Sequence, residues 1–248
     1  QITSIDDRIV ATEHGGVLLK GPFFLDALKY TYALAKCAET AGVEIVSGEV
    51  VGISGEGESS AAVETQTRTF ATTAVLITAG PWTGAISGMA GPQIPLTPSK
   101  GEILRLEPPD GPALPIHLHG PCSLVYKRDG LVWAAATATE EGFDRTPTKW
   151  AEETLIQNAT EMMPSVMEGR LSQHTVCFRP ASPDGMPIIG RLDADVPVWA
   201  ATGGGGSGIM QSLAVGDLNA RMITKRADEA GIESVSPRRF QNPGIFPI

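Results

Sequence analysis

Apolar and polar positions along this chain follow two different periods, and each change of period marks an element. Between Phe24 and Ala41, the residues Leu25, Leu28, Tyr32 and Ala35 share one helical face and Gly42 supplies a stop, which predicts a helix. The period then shortens. Strands are predicted over 43–46, 49–54, 61–67 and 74–78, with GEGESS as the turn between the second and third. The last of these, AVLITAG, is continuously apolar up to Gly80, the pattern of a strand buried on both faces. GVLLKGPF at 16–23 reads as a short strand entering a Gly-Pro turn, and 82–89 as a short helix.

From Ile94 the texture changes. Prolines at 92, 95, 98, 108, 109, 112, 115 and 121 divide the chain into short pieces, with strand-like GEILRLE, SLVYKR and LVWAAATAT between them. Asp129-Gly130 joins the last two as a hairpin. A helix over 148–163 follows, with Trp150, Leu155 and Met162 among its apolar positions, then strands at HTVCFR, MPIIG and PVWAAT and a helix over 207–226. The tail SPRRFQNPGIFPI is expected to pack irregularly on the surface. A mixed α/β pattern interrupted by an antiparallel insertion implies two interleaved domains.

Composition narrows the class. Hydrophobic residues make up 42% and charged residues 19% of the 248, enough apolar content to build a core and too little charge for disorder. A net charge of −9 argues against nucleic acid or an anionic membrane surface as partner, since phosphates require a basic patch. Three widely spaced cysteines, Cys37, Cys122 and Cys177, do not form a disulfide framework, which favours a reduced, cytoplasmic setting. No apolar run reaches membrane-spanning length. His117, His119 and Cys122 lie close together, but three such residues without a fourth read as loop residues, and no metal site is expected.

The densest signal is AATGGGGSGIM at 200–210, where Gly203, Gly205 and Gly208 spell G-x-G-x-x-G after an apolar run. A dinucleotide fingerprint also needs an acidic residue closing a second strand and further βαβ units. Asp228 precedes the next strand-like piece instead of ending it, and no Gly-Lys-Ser/Thr follows for a phosphate loop. Two readings survive: a turn of tight backbone geometry, or a helix N-terminus whose bare amides face a partly anionic ligand.

The neighbouring residues favour the second. FRPASPDGMPIIG (178–190) with VWAATGGGGSGIMQSLAVGDLNARMI (198–223) resembles the C-terminal signature of the D-amino-acid oxidase-like flavoenzymes, which include glycine oxidase, sarcosine oxidase, D-amino-acid dehydrogenases and proline dehydrogenases. AVLITAGPW (74–82), AETAGVEIVSGEVVGI (38–53) and SLVYKRDGLVWAAATATEEGFD (123–144) resemble further family segments, in family order. The fold this resemblance implies is mixed α/β: a partial FAD-binding domain of glutathione-reductase type over 20–92 and 179–248, interleaved with an antiparallel-sheet substrate domain over 1–19 and 93–178.

Carried onto this sequence, the resemblance has Gly205, Gly206, Ser207, Gly208, Ile209 and Met210 line the pyrimidine end of the flavin. Val50 would meet the adenine through its backbone, and Ala79 and Gly80 would line the cofactor cleft. Arg179 matches the arginine that takes the substrate carboxylate, a task suited to a guanidinium fork. Tyr126 is the candidate second catalytic contact or lid, with a core tyrosine as the alternative. Asp184 is expected to hold the SPDG turn. Cys177 lies where the sarcosine-oxidase branch tethers its flavin covalently, and the resemblance to the glycine-oxidase branch favours a buried structural cysteine instead.

The family's opening strand–GxGxxG–helix unit has no counterpart in residues 1–40, so the expected partners are a small amino or imino acid and an N-terminal segment or second chain supplying that unit. The implied activity is FAD-dependent oxidation of a C–N bond, with the alternative of a non-catalytic truncated relative acting as an interaction subunit.

Overall fold

Glycine and proline punctuation leaves short elements. The computed structural model describes residues 5–11, 15–19, 25–57, 59–108, 117–193, 195–224 and 231–241. Along them run α1 (Ala27–Thr40), β1 (Val50–Glu56), β2 (Ser60–Thr65), β3 (Thr69–Thr72), β4 (Val75–Ile77), α2 (Thr83–Ser87) and β5 (Thr97–Glu107). Then come β6 (Leu118–His119), β7 (Ser123–Tyr126), β8 (Val132–Ala135), α3 (Lys149–Met162), β9 (Arg170–Ala181), β10 (Ile188–Arg191), β11 (Val198–Thr202) and α4 (Gly208–Ile223). The chain divides into two units, one of residues 1–22 and 99–178, the other of 23–98 and 179–248.

The first unit is built on a five-stranded sheet of order β6-β7-β8-β5-β9. Its β7–β8 hairpin turns at Gly130, whose φ of +84° suits glycine, while the Asp129 carboxylate accepts from the Leu131 amide and the Trp133 indole. Alternation puts Leu104, Leu124, Val132 and Ala134 on the face that meets α3. That helix presents Ala151, Leu155 and Ala159, a stripe of i, i+4 and i+8. Trp150, expected among its apolar positions, is exposed instead, because the small residues allow a close approach and Trp150 lies off their stripe. The start of α3 is anchored from below: the fully buried Glu102 accepts from both the amide (2.8 Å) and the hydroxyl (2.7 Å) of Thr148. Buried Lys100 donates to Glu141 and to the Thr146 carbonyl, both at 2.8 Å, and so ties the loop after β8 to β5.

The second unit holds the antiparallel meander β1-β2-β3 and a sheet of order β10-β11-β4, in which β11 and β4 run parallel. Ile53, Ile77, Ile94, Ile188, Leu192 and Val198 form its core. This mixed α/β architecture with antiparallel sheets is the expected fold class.

Several local expectations change. No strand forms at 43–46, where Val43, Ile45 and Val46 are exposed without a neighbouring strand. The predicted strand at 16–23 is irregular over 16–19, and its remainder lies outside the described residues. β3 was not expected; it forms because Arg68 closes a turn, its carbonyl accepting from the Thr65 amide and hydroxyl, which folds Thr69–Thr72 back onto β2. β9 begins four residues earlier than its apolar pattern predicts, since ladder pairing needs backbone only and Arg170 is held by a bidentate pair with Glu107. The tail is less superficial than expected: residues 237–240 form a short 3-10 turn with Pro237 and Arg239 buried. Its last residues, 242–248, and the end of the predicted helix at 225–226 lie outside the described residues.

Candidate functional site

The glycine loop joins β11 to α4 within the second unit. Gly203 sits at φ +73°, and a Cβ there would meet the Ile188 side chain at 3.0 Å and the Met186 carbonyl at 3.2 Å. A Cβ on Gly204 would lie 2.8 Å from the Gly208 Cα. These two positions therefore require glycine for close packing. The next three have room: Cβ atoms on Gly205, Gly206 and Gly208 would meet nothing within 4 Å, although Gly205, at φ +49°, still favours glycine by its backbone. Their small size leaves open space before the helix, which is what an approaching ligand needs.

No side chain caps α4, so its first-turn amides keep the partial positive charge of a helix N-terminus. Ile209 and Met210, the next residues expected at the flavin, are exposed. Behind the loop, the Thr202 hydroxyl donates to the Gly80 carbonyl at 3.0 Å. Gly80 itself has φ +55° and starts the turn into α2. Val50 and Ala79 pack against this unit's core. The second unit thus brings the sequence-predicted cofactor residues, including Gly80 and the glycine loop, onto one scaffold, and an uncapped helix behind open glycines fits a flavin's electron-rich pyrimidine edge.

Arg179 lies half-buried near the end of β9, where the second unit resumes. The turn that follows it is fixed at three points. The Ser182 hydroxyl donates to the Met186 carbonyl at 2.6 Å, the Met186 amide donates to Asp184 at 3.1 Å, and Gly185 adopts φ +71°. Asp184 plays the turn role expected of it, and it has a partner the sequence did not disclose. Arg239, from the tail, grips its carboxylate with Nε at 2.7 Å and Nη2 at 3.0 Å and also donates to the Met186 carbonyl. Arg239 first, then burial and the Met186 amide, set the Asp184 carboxyl, and the net effect holds it below the usual carboxylate range. An arginine in a proline-rich tail carries no pairing signal, so only tertiary structure could reveal this contact.

Tyr126 belongs to the first unit and packs against its core. Burial pushes its phenol pKa up, while the neighbouring Arg8 pulls it down. Cys177 is exposed, not buried as expected, because it lies on an open face of β9; its thiol donates to the Gly101 carbonyl at 3.5 Å. His119 shares a hydrogen bond of 2.8 Å with Ser123, and buried Cys122 has its thiol pushed up to about 11. Among the described residues no group of three or more His, Cys, Asp or Glu could hold a metal ion. None of their helices is long and apolar enough to cross a membrane.

A unit built on an antiparallel sheet and a unit whose parallel β4–β11 pair runs into a glycine loop and a helix N-terminus make the fold that the sequence resemblance implies. The family described as DAO, FAD dependent oxidoreductase, matches residues 5–222, and the chain belongs to it. The chain is 29% identical over 224 residues to hydrogen cyanide synthase subunit HcnC of Pseudomonas protegens, covering 87% of this chain and 52% of that one. It is 30% identical over 152 residues to glycine oxidase of Pseudomonas aeruginosa, covering 61% of this chain and 42% of that protein. The crystal structure of glycine oxidase from Geobacillus kaustophilus superposes with a TM-score of 0.70 at 27% identity, over 80% of this chain and 55% of that one. The chain thus spans about half the length of the curated relatives it matches.

Proposed function

We propose that this chain forms the C-terminal portion of an FAD-dependent enzyme that oxidises the C–N bond of a small amino or imino acid. The observation that carries this reading is the uncapped α4 N-terminus behind Gly205, Gly206 and Gly208, packed through Gly203 on the turn that follows Arg179. FAD accepts a hydride from the substrate Cα when bound. In this proposal the amides of the glycine loop and the start of α4, from Gly206 to Met210, stabilise negative charge at the pyrimidine edge. Val50 meets the adenine, and Ala79 and Gly80 line the cleft between. Residues 23–98 and 179–248 form the FAD-side domain, the remainder the substrate-side domain.

Arg179 grips both carboxylate oxygens and so aims the Cα–H. An amine entering deprotonated needs no side-chain base, and the imine released hydrolyses in water to an oxo acid and ammonia or amine. Tyr126, packed against the first unit's core beside Arg8, is the proposed second substrate contact or lid. A dinucleotide-binding segment, joined to this chain or separate, supplies the pyrophosphate cradle.

The test is anaerobic bleaching of the flavin in the assembled enzyme by glycine, sarcosine, D-alanine and proline. Arg179→Ala is expected to lower kcat/KM at least tenfold and up to more than about a hundredfold, since charge-assisted hydrogen bonds contribute roughly 1.5–3 kcal/mol each. Arg179→Lys should fall between, keeping charge without the fork. FAD content should be normal in both. Full activity in Arg179→Ala, or no bleaching by any of these acids, sinks the assignment.

A further inference from the structure

We propose that buried Lys100 is a positioning residue for Arg179, acting through the loop 139–146 and the ring contact between Phe143 and Phe178. The inference rests on the proposed function in taking Arg179 as the carboxylate grip. The contacts that carry it lie within the first unit.

Lysine is seldom fully buried, yet the Lys100 side chain, on β5, is 0% exposed. Its ammonium donates to the Glu141 carboxylate and to the Thr146 carbonyl, both at 2.8 Å. It also lies 3.8 Å from Glu102 and 4.0 Å from Asp144. The backbone adds two bonds: the Lys100 amide donates to the Thr139 carbonyl at 2.8 Å, and the Thr139 amide to the Lys100 carbonyl at 3.0 Å. One residue thus holds the loop at Thr139, Glu141 and Thr146. Residues 140–147 are exposed and form neither helix nor strand, and Phe143 is the one large apolar side chain among them. Hydrophobic packing therefore cannot order this loop by itself.

Stability alone does not account for a lysine here. Withdrawing a charge from water is costly, and apolar side chains in place of a buried ion pair are often neutral or stabilising. The ammonium instead supplies direction, because its donors reach the loop at fixed points.

Direction matters at Phe143. Its ring meets the Phe178 ring edge-on, with centroids 5.4 Å apart and planes at 72°, although the side chain is 45% exposed. Phe178 immediately precedes Arg179 on β9. One residue further back, the Cys177 thiol donates to the Gly101 carbonyl, beside Lys100 in sequence. The two residues before Arg179 are therefore held by β5 and by the loop that Lys100 anchors. Neighbouring strand residues share one backbone, so a tilt at Phe178 swings the Arg179 side chain. A fork that must meet two carboxylate oxygens tolerates little of that.

Native-state trypsin digestion of the recombinant 248-residue chain tests the clamp without flavin or substrate. Arg145 is exposed within the loop, and the bond after it should be cut slowly in the wild type. Lys100→Met should speed that cut at least about tenfold. Should Lys100→Met not fold, Glu141→Ala serves, since Lys100 keeps Glu102 within reach and no buried charge is stranded. An unchanged rate in the folded variant overturns the proposal.

A double-mutant cycle in the assembled enzyme tests the relay, using whichever of glycine, sarcosine, D-alanine and proline bleaches the flavin fastest. Phe143→Ala should lower kcat/KM at least about tenfold with normal FAD content, and Phe143→Tyr, which keeps the ring, should stay near wild type. Added to Arg179→Ala, Phe143→Ala should cost less than about twofold more, because its effect runs through the arginine. If Arg179→Ala is costly while Phe143→Ala is silent or multiplies the loss, this inference alone fails. If Arg179→Ala costs nothing, the proposed function fails and the inference with it.

Discussion

At the scale of single residues, Arg239 and Asp184 show how one buried pair fixes the turn that follows Arg179. Arg239 is almost wholly buried, and its guanidinium satisfies the Asp184 carboxylate and the carbonyls of Met186 and Ser236. Arg239→Met would leave Asp184 unpaired, and breaking such a pair costs about 3 kcal/mol, a fall of roughly 6–12 °C in melting midpoint for a chain of this size. The pair also carries a pH signature. Folding lowers the Asp184 pKa, so its contribution is fully present above the unfolded value of about 3.9 and is lost as pH falls through the depressed folded value. Urea midpoints of the wild type and Asp184→Asn should therefore differ at pH 7 and converge below about pH 4. A gap that stays constant down to pH 3 would show that Asp184 is not the titrating group.

At the scale of elements, α4 and the loop before it contain glycines with opposite meanings. Gly216 lies mid-helix, exposed, with open space around a hypothetical Cβ, so Gly216→Ala should stabilise the chain by about 1 kcal/mol in urea unfolding. Gly203, before the helix, has a positive φ and close neighbours in Ile188 and Met186, and Gly203→Ala should destabilise by about 1–3 kcal/mol. Gly208→Ala has room at the helix start and should fold normally while filling the space before the proposed flavin edge. If Gly203→Ala is neutral, the loop does not pack on the 182–186 turn as described.

At the scale of the whole molecule, the residues of the proposed flavin site are assigned to the isoalloxazine and adenine ends, and none is assigned to the pyrophosphate. The recombinant 248-residue chain is therefore expected to bind FAD weakly, in contrast to the assembled enzyme. Quenching of flavin fluorescence on titration measures this directly. Tight, stoichiometric binding would mean that a pyrophosphate-binding element lies within these residues. Denaturing the assembled enzyme should release free flavin. Colour that stays with the polypeptide would instead indicate a covalent link, for which exposed Cys177 is the first residue to examine.

The sequence by itself determined what depends on neighbours a few residues apart. Periodicity placed α1, α3, α4 and the β7–β8 hairpin, SPDG announced a turn, and the run of family-like segments from AVLITAG to GGGGSGIM identified the flavoenzyme class. These signals are local because backbone conformation at a glycine, a proline or an amphipathic stripe is set within one or two turns. Tertiary structure alone decided the long-range pairings: Arg239 with Asp184 across 55 residues and Lys100 with Glu141 across 41. It also decided exposure, leaving Cys177 and Trp150 in the open and 43–46 without a strand. A side chain's burial depends on what another part of the fold brings against it, and a strand exists only when a second strand takes its hydrogen bonds.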